Sequence, residues 1–455
     1  MINPLSARDK SDGGTRLILD LSQPAGRSVN DGIDADQFRL SFTSVADAFR
    51  LIHAAGGTGA LLAKVDIQSA FKLIPVRPDQ WRLLGFQWQG GYYYQVALSF
   101  GSRSSPRIFN DFADCLELLF QERAGQAMVR KYLDDFWLVA PPGSPDAHRA
   151  YRSMHDICAA VRVPLAEKKC VGPTTSLALL GVQIDTVKMT VGLPPDKLGR
   201  LRDTIGGLLR RRKCTKKELL SAVGRLVHAA KCVPPGRAFT RRLLDLAGSV
   251  TALLHRVRLT AAARADLQWW AEFLPRWSGT FPLLHPDDLD TDAILYTDSS
   301  RRGMGACYGG RWWAFPWPAA LDETSAPSMT FLELIPLLVS CLVWGGAWRG
   351  KRVRVFSDNM GVVGCVGRGW SGDHRIMALV RHLLFSAACH GCVLSVAYVP
   401  TADNGPADSL SRGDMARFRR LRPDADAAPD AVPTGLAQYL RDPDAGPAPL
   451  TGVVL

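Results

Sequence analysis

Two stretches of the chain alternate short apolar runs with segments of helical spacing, and a basic, helical stretch separates them. In the first stretch, 14–22 reads as a strand, 42–57 as a helix, and 61–76 as strand, turn and strand. The aromatic-rich segment 83–98 is divided by Gly90-Gly91, which predicts a hairpin. Apolar residues at 109, 112, 116, 119 and 120 give 106–122 the spacing of a helix. Residues 127–140 (AMVRKYLDDFWLVA) predict a buried hairpin with Asp134 and Asp135 at its bend. A helix near 146–161 and two short strands around 179–189 then close a first αβ unit near residue 190.

Residues 196–259 show no strand pattern and predict three helices. One of them is N-capped at Thr215, where Thr-Lys-Lys-Glu has the form of a capping box, and Pro234-Pro235-Gly236 interrupts the stretch. A fourth helix covers 261–274, and the Pro- and Asp-rich 275–292 reads as a linker. A second αβ unit starts at Ala293, with a helix over 330–347, a strand over 352–357, a helix over 376–390 and a strand over 393–399. From about Asp414 the chain is rich in Arg, Ala, Pro and Asp, and a flexible tail is expected. The expected divisions are therefore 1–190, 191–275, a linker over 276–292, 293–414, and a tail over 415–455.

At 455 residues the chain has room for roughly three domains. Its 47% hydrophobic content and mean hydropathy of −0.01 exclude a disordered protein. The net charge of +12 is concentrated: residues 196–242 hold fourteen Lys and Arg against three acids, a difference of eleven. Such a stretch suits a polyanionic partner. Ten cysteines are scattered, and only Cys389-His390-Gly391-Cys392 has metal-like spacing, with no second pair to complete a zinc site. They read as reduced structural cysteines of a cytoplasmic or nuclear protein. The N-terminal MINPLSARDKSDGG lacks a signal-peptide core. The apolar run 331–348 is broken by Glu333 and Pro336, so no membrane partner is expected.

The acids at the ends of apolar runs change the picture most. Asp66 ends Leu61-Leu62-Ala63-Lys64-Val65-Asp66, and Asp134–Asp135 lie between two such runs. Buried carboxylates without a partner are strongly disfavoured, and carboxylates converging from separate strands are what a pair of Mg²⁺ ions needs, with Mn²⁺ as an alternative. A second set follows. Asp298 ends Leu295-Tyr296-Thr297-Asp298, Glu333 lies in an apolar helix start, Asp358 ends VRVFSD, and Asp408 lies in Asn404–Arg412 (NGPADSLSR). Asp403 competes with Asp408 for the fourth place. Four carboxylates can hold two Mg²⁺ ions that activate a water.

Tyr132-Leu133-Asp134-Asp135 with the upstream Asp66-x-x-x-Ala70-Phe71 resembles the signature pair of reverse transcriptases. Leu98-Ser99-Phe100-Gly101 followed by Ser105-Pro106-x-x-Phe109 resembles that family's Leu-Pro-Phe-Gly and Ser-Pro-x-x-Phe segment, with Ser99 in place of the usual Pro. The order of Asp298, Glu333, Asp358 and Asp408 resembles retroelement ribonuclease H. Many relatives carry a His shortly before the last acid, and Tyr398 stands near that place here. The resemblance implies an α/β multidomain chain: a right-hand polymerase of fingers, palm and helical thumb, followed by a ribonuclease H-like mixed-sheet domain. It implies metal-binding and catalytic roles for Asp66, Asp134, Asp135, Asp298, Glu333, Asp358 and Asp408. Phe71 would exclude a 2′ hydroxyl, Arg16 and Lys168 or Lys169 would contact the triphosphate, with Lys10 assisting, and Phe100–Gly101 would lie beneath the nascent base pair. The partners implied are an RNA template, a DNA primer, the RNA/DNA hybrid and dNTPs.

Arg27–Gly32 (RSVNDG), Gly172-Pro173-Thr174-Thr175, Leu180–Thr186 (LGVQIDT), Pro235–Phe239 (PGRAF) and Asp266–Trp270 (DLQWW) are close to tyrosine-recombinase retrotransposons of the DIRS/Ngaro type. This implies a recombinase of the same element as a further partner, and the abrupt start at Met1 fits a fragment of a longer polyprotein. A decayed or domesticated nucleic-acid-binding copy and a gypsy-like or pararetroviral polymerase are the alternatives. All seven acids are intact, which speaks against decay.

Overall fold

The computed structural model describes residues 1–9, 14–285, 293–317 and 328–433. Lys10, the second half of the expected linker (286–292) and the last part of the expected tail (434–455) lie outside the described residues. The chain divides into two compact units, Met1–Met189 and Thr190–Leu455, each with its own mixture of helices and sheets.

The first unit begins with an antiparallel pair, β1 (Leu5–Asp9) and β2 (Thr15–Leu19). Helix α1 (Val45–Ala54) follows, started by a capping box between Ser44 and Asp47. Strand β3 (Leu61–Asp66) ends at the acid, and Ser69, at φ 53°, turns the chain into a short 3₁₀ segment over Ala70–Leu73. The second strand expected in this stretch is reduced to a single bridge between Pro75 and Ala97. Strands β4 (Gly85–Trp88) and β5 (Gly91–Tyr94) form the expected hairpin, but Trp88 pairs with Gly91, so the bend is Gln89-Gly90. Both bend residues have positive φ, the geometry that suits the twist of a two-residue hairpin.

Helix α2 (Ser105–Glu122), strands β6 (Met128–Tyr132) and β7 (Asp135–Ala140), helix α3 (Asp146–Ala160) and strand β8 (Val171–Thr174) complete the central layer. The four-stranded sheet has the order β6-β7-β3-β8. Its core joins Val65, Phe136 and Leu138 to Phe109 and Phe120 of α2 and Met154 of α3. The hairpin β9 (Ser176–Leu179) and β10 (Val182–Asp185) closes the unit.

The second unit opens with β11 (Thr190–Gly192) and α4 (Pro195–Leu209). A three-residue strand β12 (Lys213–Thr215) leads into α5 (Lys216–Ala229), whose Thr215–Glu218 capping box is formed as the sequence indicated. After a 3₁₀ segment over Pro234–Thr240 come α6 (Arg241–Gly248), β13 (Arg256–Arg258) and α7 (Ala261–Phe273). The helical stretch therefore contains one strand pair, β12 with β13, which only Cys214 and Val257 anchor by burial. Within the expected linker, β14 (Thr280–Pro282) pairs with β11.

A five-stranded mixed sheet follows, in the order β17-β16-β15-β18-β19. It is built from β15 (Ile294–Ser299), β16 (Gly303–Tyr308), β17 (Arg311–Pro316), β18 (Arg352–Ser357) and β19 (Val393–Tyr398). Pairs β15–β18 and β18–β19 are parallel, the others antiparallel. The helices are α8 (Met329–Trp344), α9 (Met360–Arg368), α10 (His374–His390), α11 (Gly405–Arg412) and α12 (Met415–Leu421). The run 329–348 is long and apolar enough to cross a membrane by length and composition, yet 72% of it is buried inside the unit.

Two differences from the sequence expectation have physical causes. The described residues after 414 pack onto the unit: Phe418 of α12 is buried against Trp312, and Asp430 accepts from Arg311 Nε and Trp344 Nε1. Polar composition hid one deep apolar anchor and a specific ion pair. The helical stretch also shares a core with the mixed-sheet part, where Trp269 of α7 meets Phe239 and Phe385 of α10 and donates to the Arg381 carbonyl. Asp266, fully buried in α7, accepts from Arg242 Nε at 2.8 Å and lies 3.8 Å from Arg381 Nη2. Removing one member of a buried ion cluster leaves uncompensated charge. Asp266→Ala is therefore expected to destabilise the second unit by about 3–5 kcal/mol, read from the shift of its denaturant midpoint.

Candidate active sites

The first site stands at one end of the sheet β6-β7-β3-β8. Register places Asp66, the last residue of β3, opposite Asp135, the first of β7, and Tyr132 of β6 also faces Asp135. The bend is therefore Leu133-Asp134 and not Asp134–Asp135 as the sequence suggested. Leu133 is held at φ 56°, a conformation costly for a branched side chain and typical of sites where function fixes the backbone. Ile67 N donates to the Asp134 carbonyl at 2.9 Å, which ties the bend to the end of β3.

These three acids are not electrostatically equivalent. Burial pushes the Asp135 carboxyl up to about 6, Lys64 opposing this and the two neighbouring acids adding to it. Asp134 is also raised, chiefly by burial and further by Asp66, while Lys169 and Arg16 act against the rise. Lys169 Nζ lies 3.1 and 3.2 Å from the two oxygens of Asp66. Asp135 Oδ1 is buried with no hydrogen-bond partner. An orphaned carboxylate oxygen beside two more acids suits a divalent cation, whose hard charge prefers such ligands.

Around the acids, Phe71 lies in the 3₁₀ segment after β3, with its ring 4.9 Å from Phe100 and 5.9 Å from Phe109. The Arg16 guanidinium lies over Phe100 at 4.5 Å. Gly101 has φ 110°, and a Cβ there would stand 1.8 Å from the Leu19 carbonyl oxygen, so no side chain fits. Arg16, Phe71, Phe100, Gly101 and Lys169 are thus brought to the acid end of this unit. Asn30 and Lys64, to which the sequence reading gave no role in the site, belong to the same neighbourhood through Gly101 and Asp135 respectively.

The second site belongs to the mixed sheet. Asp298 lies near the end of β15, Glu333 in the first turns of α8 and Asp358 directly after β18. One oxygen from each lies within 4.8 Å of the others; among the described residues the acids of the first site make no such group. Burial, with Asp298 and Asp358 adding to it, pushes the Glu333 carboxyl up to about 9. Ser299 N donates to Glu333 Oε1 at 3.3 Å, while Oε2 is buried without a partner. Burial likewise raises Asp298 to about 6, although Ser411 Oγ donates to its Oδ2. Thr401 Oγ1 donates to Asp358 Oδ2 at 2.6 Å.

Asp408 stands outside this trio. Its two oxygens accept from Arg412 Nε and Arg417 Nη1, each at 2.6 Å, yet its charge still reaches Asp298. Asp403 is exposed in the short 3₁₀ segment over Thr401–Asn404. Sequence reasoning missed Thr401, Ser411 and Arg417, because one polar side chain on a short helix carries no periodic signal.

Residues 9–184 match the family model for reverse transcriptase (RNA-dependent DNA polymerase). This segment is similar to reverse transcriptases. A stretch of this chain is 29% identical over 140 residues to the Pro-Pol polyprotein of simian foamy virus type 1, covering 30% of this chain and 10% of that relative. The chain thus spans about a tenth of the curated relative it matches. Among solved structures it is similar to a foamy viral protease–reverse transcriptase dRH in complex with double-stranded DNA. That match has 16% identity and a TM-score of 0.49, covering 88% of this chain and 65% of that one. It is also similar to the foamy viral protease–reverse transcriptase in complex with an RNA/DNA hybrid, at 18% identity and a TM-score of 0.47, covering 88% and 50% respectively.

Glu333 sets a measurable sign. With its carboxyl at about 9 in the folded chain against an ordinary 4.5, the folded state holds a proton that the unfolded state has released between those values. Stability therefore falls as pH rises through that window. A divalent cation held by the ionised trio would offset the loss. Mg²⁺ is expected to raise the unfolding temperature of the second unit more at pH 8.5 than at pH 6, and Glu333→Gln to flatten that difference. An equal shift at both pH values in the wild type would remove Glu333 from the cation site.

Proposed function

We propose that this chain is an RNA-directed DNA polymerase with a linked ribonuclease H activity, which copies retroelement RNA into DNA and degrades the RNA of the resulting hybrid. The observation that carries the reading is the register of Asp66 against Asp135 beside the strained Leu133-Asp134 bend, inside the segment that matches the reverse-transcriptase model. Asp66, Asp134 and Asp135 are the residues that would hold Mg²⁺ or Mn²⁺, two ions at this site. When bound, the ions supply Lewis acidity at the primer 3′ hydroxyl and at the triphosphate.

The protein's own groups do the rest. Arg16, from β2, and Lys169, beside Asp66, offer positive charge for triphosphate oxygens. The Phe71 ring, backed by Phe100 and Phe109, offers an apolar face against which a sugar would pack, excluding a 2′ hydroxyl. In the second site, Asp298, Glu333 and Asp358 would hold the ions that serve hydrolysis, with Asp408 completing the set on exchange of an arginine contact. The basic helices α4 to α6 suit a sequence-independent grip on a duplex backbone, which salt weakens. RNA template, DNA primer and hybrid are the partners this reading assigns. We further assign the chain to an intracellular retroelement of the DIRS/Ngaro type acting with a recombinase, on the strength of its RSVNDG, LGVQIDT and DLQWW segments.

Primer extension on an RNA template with Mg²⁺ tests the polymerase. Asp134→Asn is expected to lower the rate by on the order of 10³-fold or more, as loss of a group that stabilises transition-state charge does, and unchanged extension would sink the assignment. Cleavage of the RNA strand of a hybrid tests the nuclease separately: Glu333→Gln is expected to abolish it while primer extension persists.

A further inference from the structure

The reverse-transcriptase segment contains a buried side chain that the reaction reading does not use. Asn30 is 5% exposed, and all of its polar atoms are engaged. Its Nδ2 donates to the Gly101 carbonyl and to Ser22 Oγ, both at 2.9 Å, and its Oδ1 accepts from Arg103 N at 2.8 Å. Its backbone N donates to the Leu21 carbonyl at 2.9 Å. One amide therefore joins the chain leaving β2 to the turn that carries Phe100 and Gly101. The same turn is tied to β2 a second time, because Leu19 N donates to the Phe100 carbonyl at 3.0 Å. The missing Cβ of Gly101 is what permits the approach.

The consequence lies in what the turn supports. Phe100 contacts the Phe71 ring on one side and the Arg16 guanidinium on the other. Arg16 rides on β2, and Phe71 on the segment following Asp66. A shift of the Phe100 turn away from β2 therefore separates a triphosphate-binding group from the ring that tests the sugar. We propose that Asn30 is a positioning residue for nucleotide selection: it locks the Phe100–Gly101 turn to β2, and so fixes Phe71 and Arg16 at one spacing suited to a deoxyribonucleoside triphosphate. The inference rests on the polymerase reading above. Asn30 touches no reacting group itself.

The amide is specific in a way that its charged isostere exposes. Aspartate in place of Asn30 keeps the shape and the acceptor for Arg103 N, but sets a carboxylate oxygen against the Gly101 carbonyl and loses both donated bonds. Steady-state single-nucleotide insertion, with dNTP and rNTP in parallel, is the measurement, on wild type, Asn30→Asp and Asn30→Ser. Small displacements of positioning groups cost up to about 10²-fold in rate. KM for dNTP is expected to rise about tenfold in Asn30→Asp with kcat changed less than about threefold, and preference for dNTP over rNTP to fall about fivefold or more. Hydrogen exchange at the Leu19 and Arg103 amides is expected to quicken in both variants while the unfolding temperature holds within a few degrees.

Wild-type KM and selectivity in a folded Asn30→Asp with quickened exchange would overturn the inference and leave the polymerase reading intact. So would a fall in kcat alone that tracks loss of folded protein. Slow, wild-type exchange in both variants would show that the amide does not hold the turn. If the wild-type chain fails to extend a primer, the polymerase reading falls, and this inference with it.

Discussion

Burying several carboxylates at the ends of apolar strands is the constraint on which both sites depend. A strand side chain alternates faces, so slipping β3 against β7 by one residue would carry Asp66 to the other face and expose Val65. The register is held because Leu62, Ala63 and Val65 of β3 and Phe136 through Ala140 of β7 are all buried. The hydrophobic core thus does the aiming. The acids are carried to the sheet end by residues that gain from burial, and their own repulsion is overcome by that gain.

The two sites answer the same repulsion in different ways. In the first, side-chain cations stand close: Lys169 on Asp66, with Lys64 and Arg16 acting on Asp135 and Asp134. In the second, among the described residues, Arg412 and Arg417 take Asp408, while Glu333 accepts from a backbone N–H, Asp298 from a serine hydroxyl and Asp358 from a threonine hydroxyl. Neutral donors offset far less charge than a guanidinium or ammonium does. Burial, with the two neighbouring acids adding to it, therefore pushes Glu333 up with no side-chain cation against it among the described residues, where the first site sets Lys169 beside Asp66.

What the sequence showed follows from which signals repeat. Helices α2 and α3 were legible because apolar residues recur at helical spacing, and α8 and α10 because they are long, apolar-rich runs. Asp66, Asp298 and Asp358 were legible because each ends an apolar run, Asp134 and Asp135 because they separate two such runs, and Glu333 because it interrupts one. Strands β12 and β13 were not, since each buries only its central residue. Helix α9 was hidden by its glycines and is secured by Asn359, whose side chain accepts from Gly361 N and Val362 N. The Gly90-Gly91 dipeptide marked its hairpin correctly but placed the bend one residue late, because Gln89 takes up a positive φ unaided. Asn30 lies in a polar turn where nothing in the pattern separates it from Asp31 or Ser28, although only Asn30 crosses to Gly101.

Catalytic geometry in the first unit is accordingly maintained at two levels. Apolar packing sets the acids along the strands, to within the register of a pleat. Hydrogen bonds of side chains such as Asn30 then set the turns between strands, where packing is thin and the backbone has more freedom. A turn that runs through a glycine with φ 110° passes through backbone space no side chain restricts. Three side-chain bonds from one buried amide supply what the sheet cannot, so a polar residue without any catalytic chemistry can govern how a catalytic surface meets its substrate.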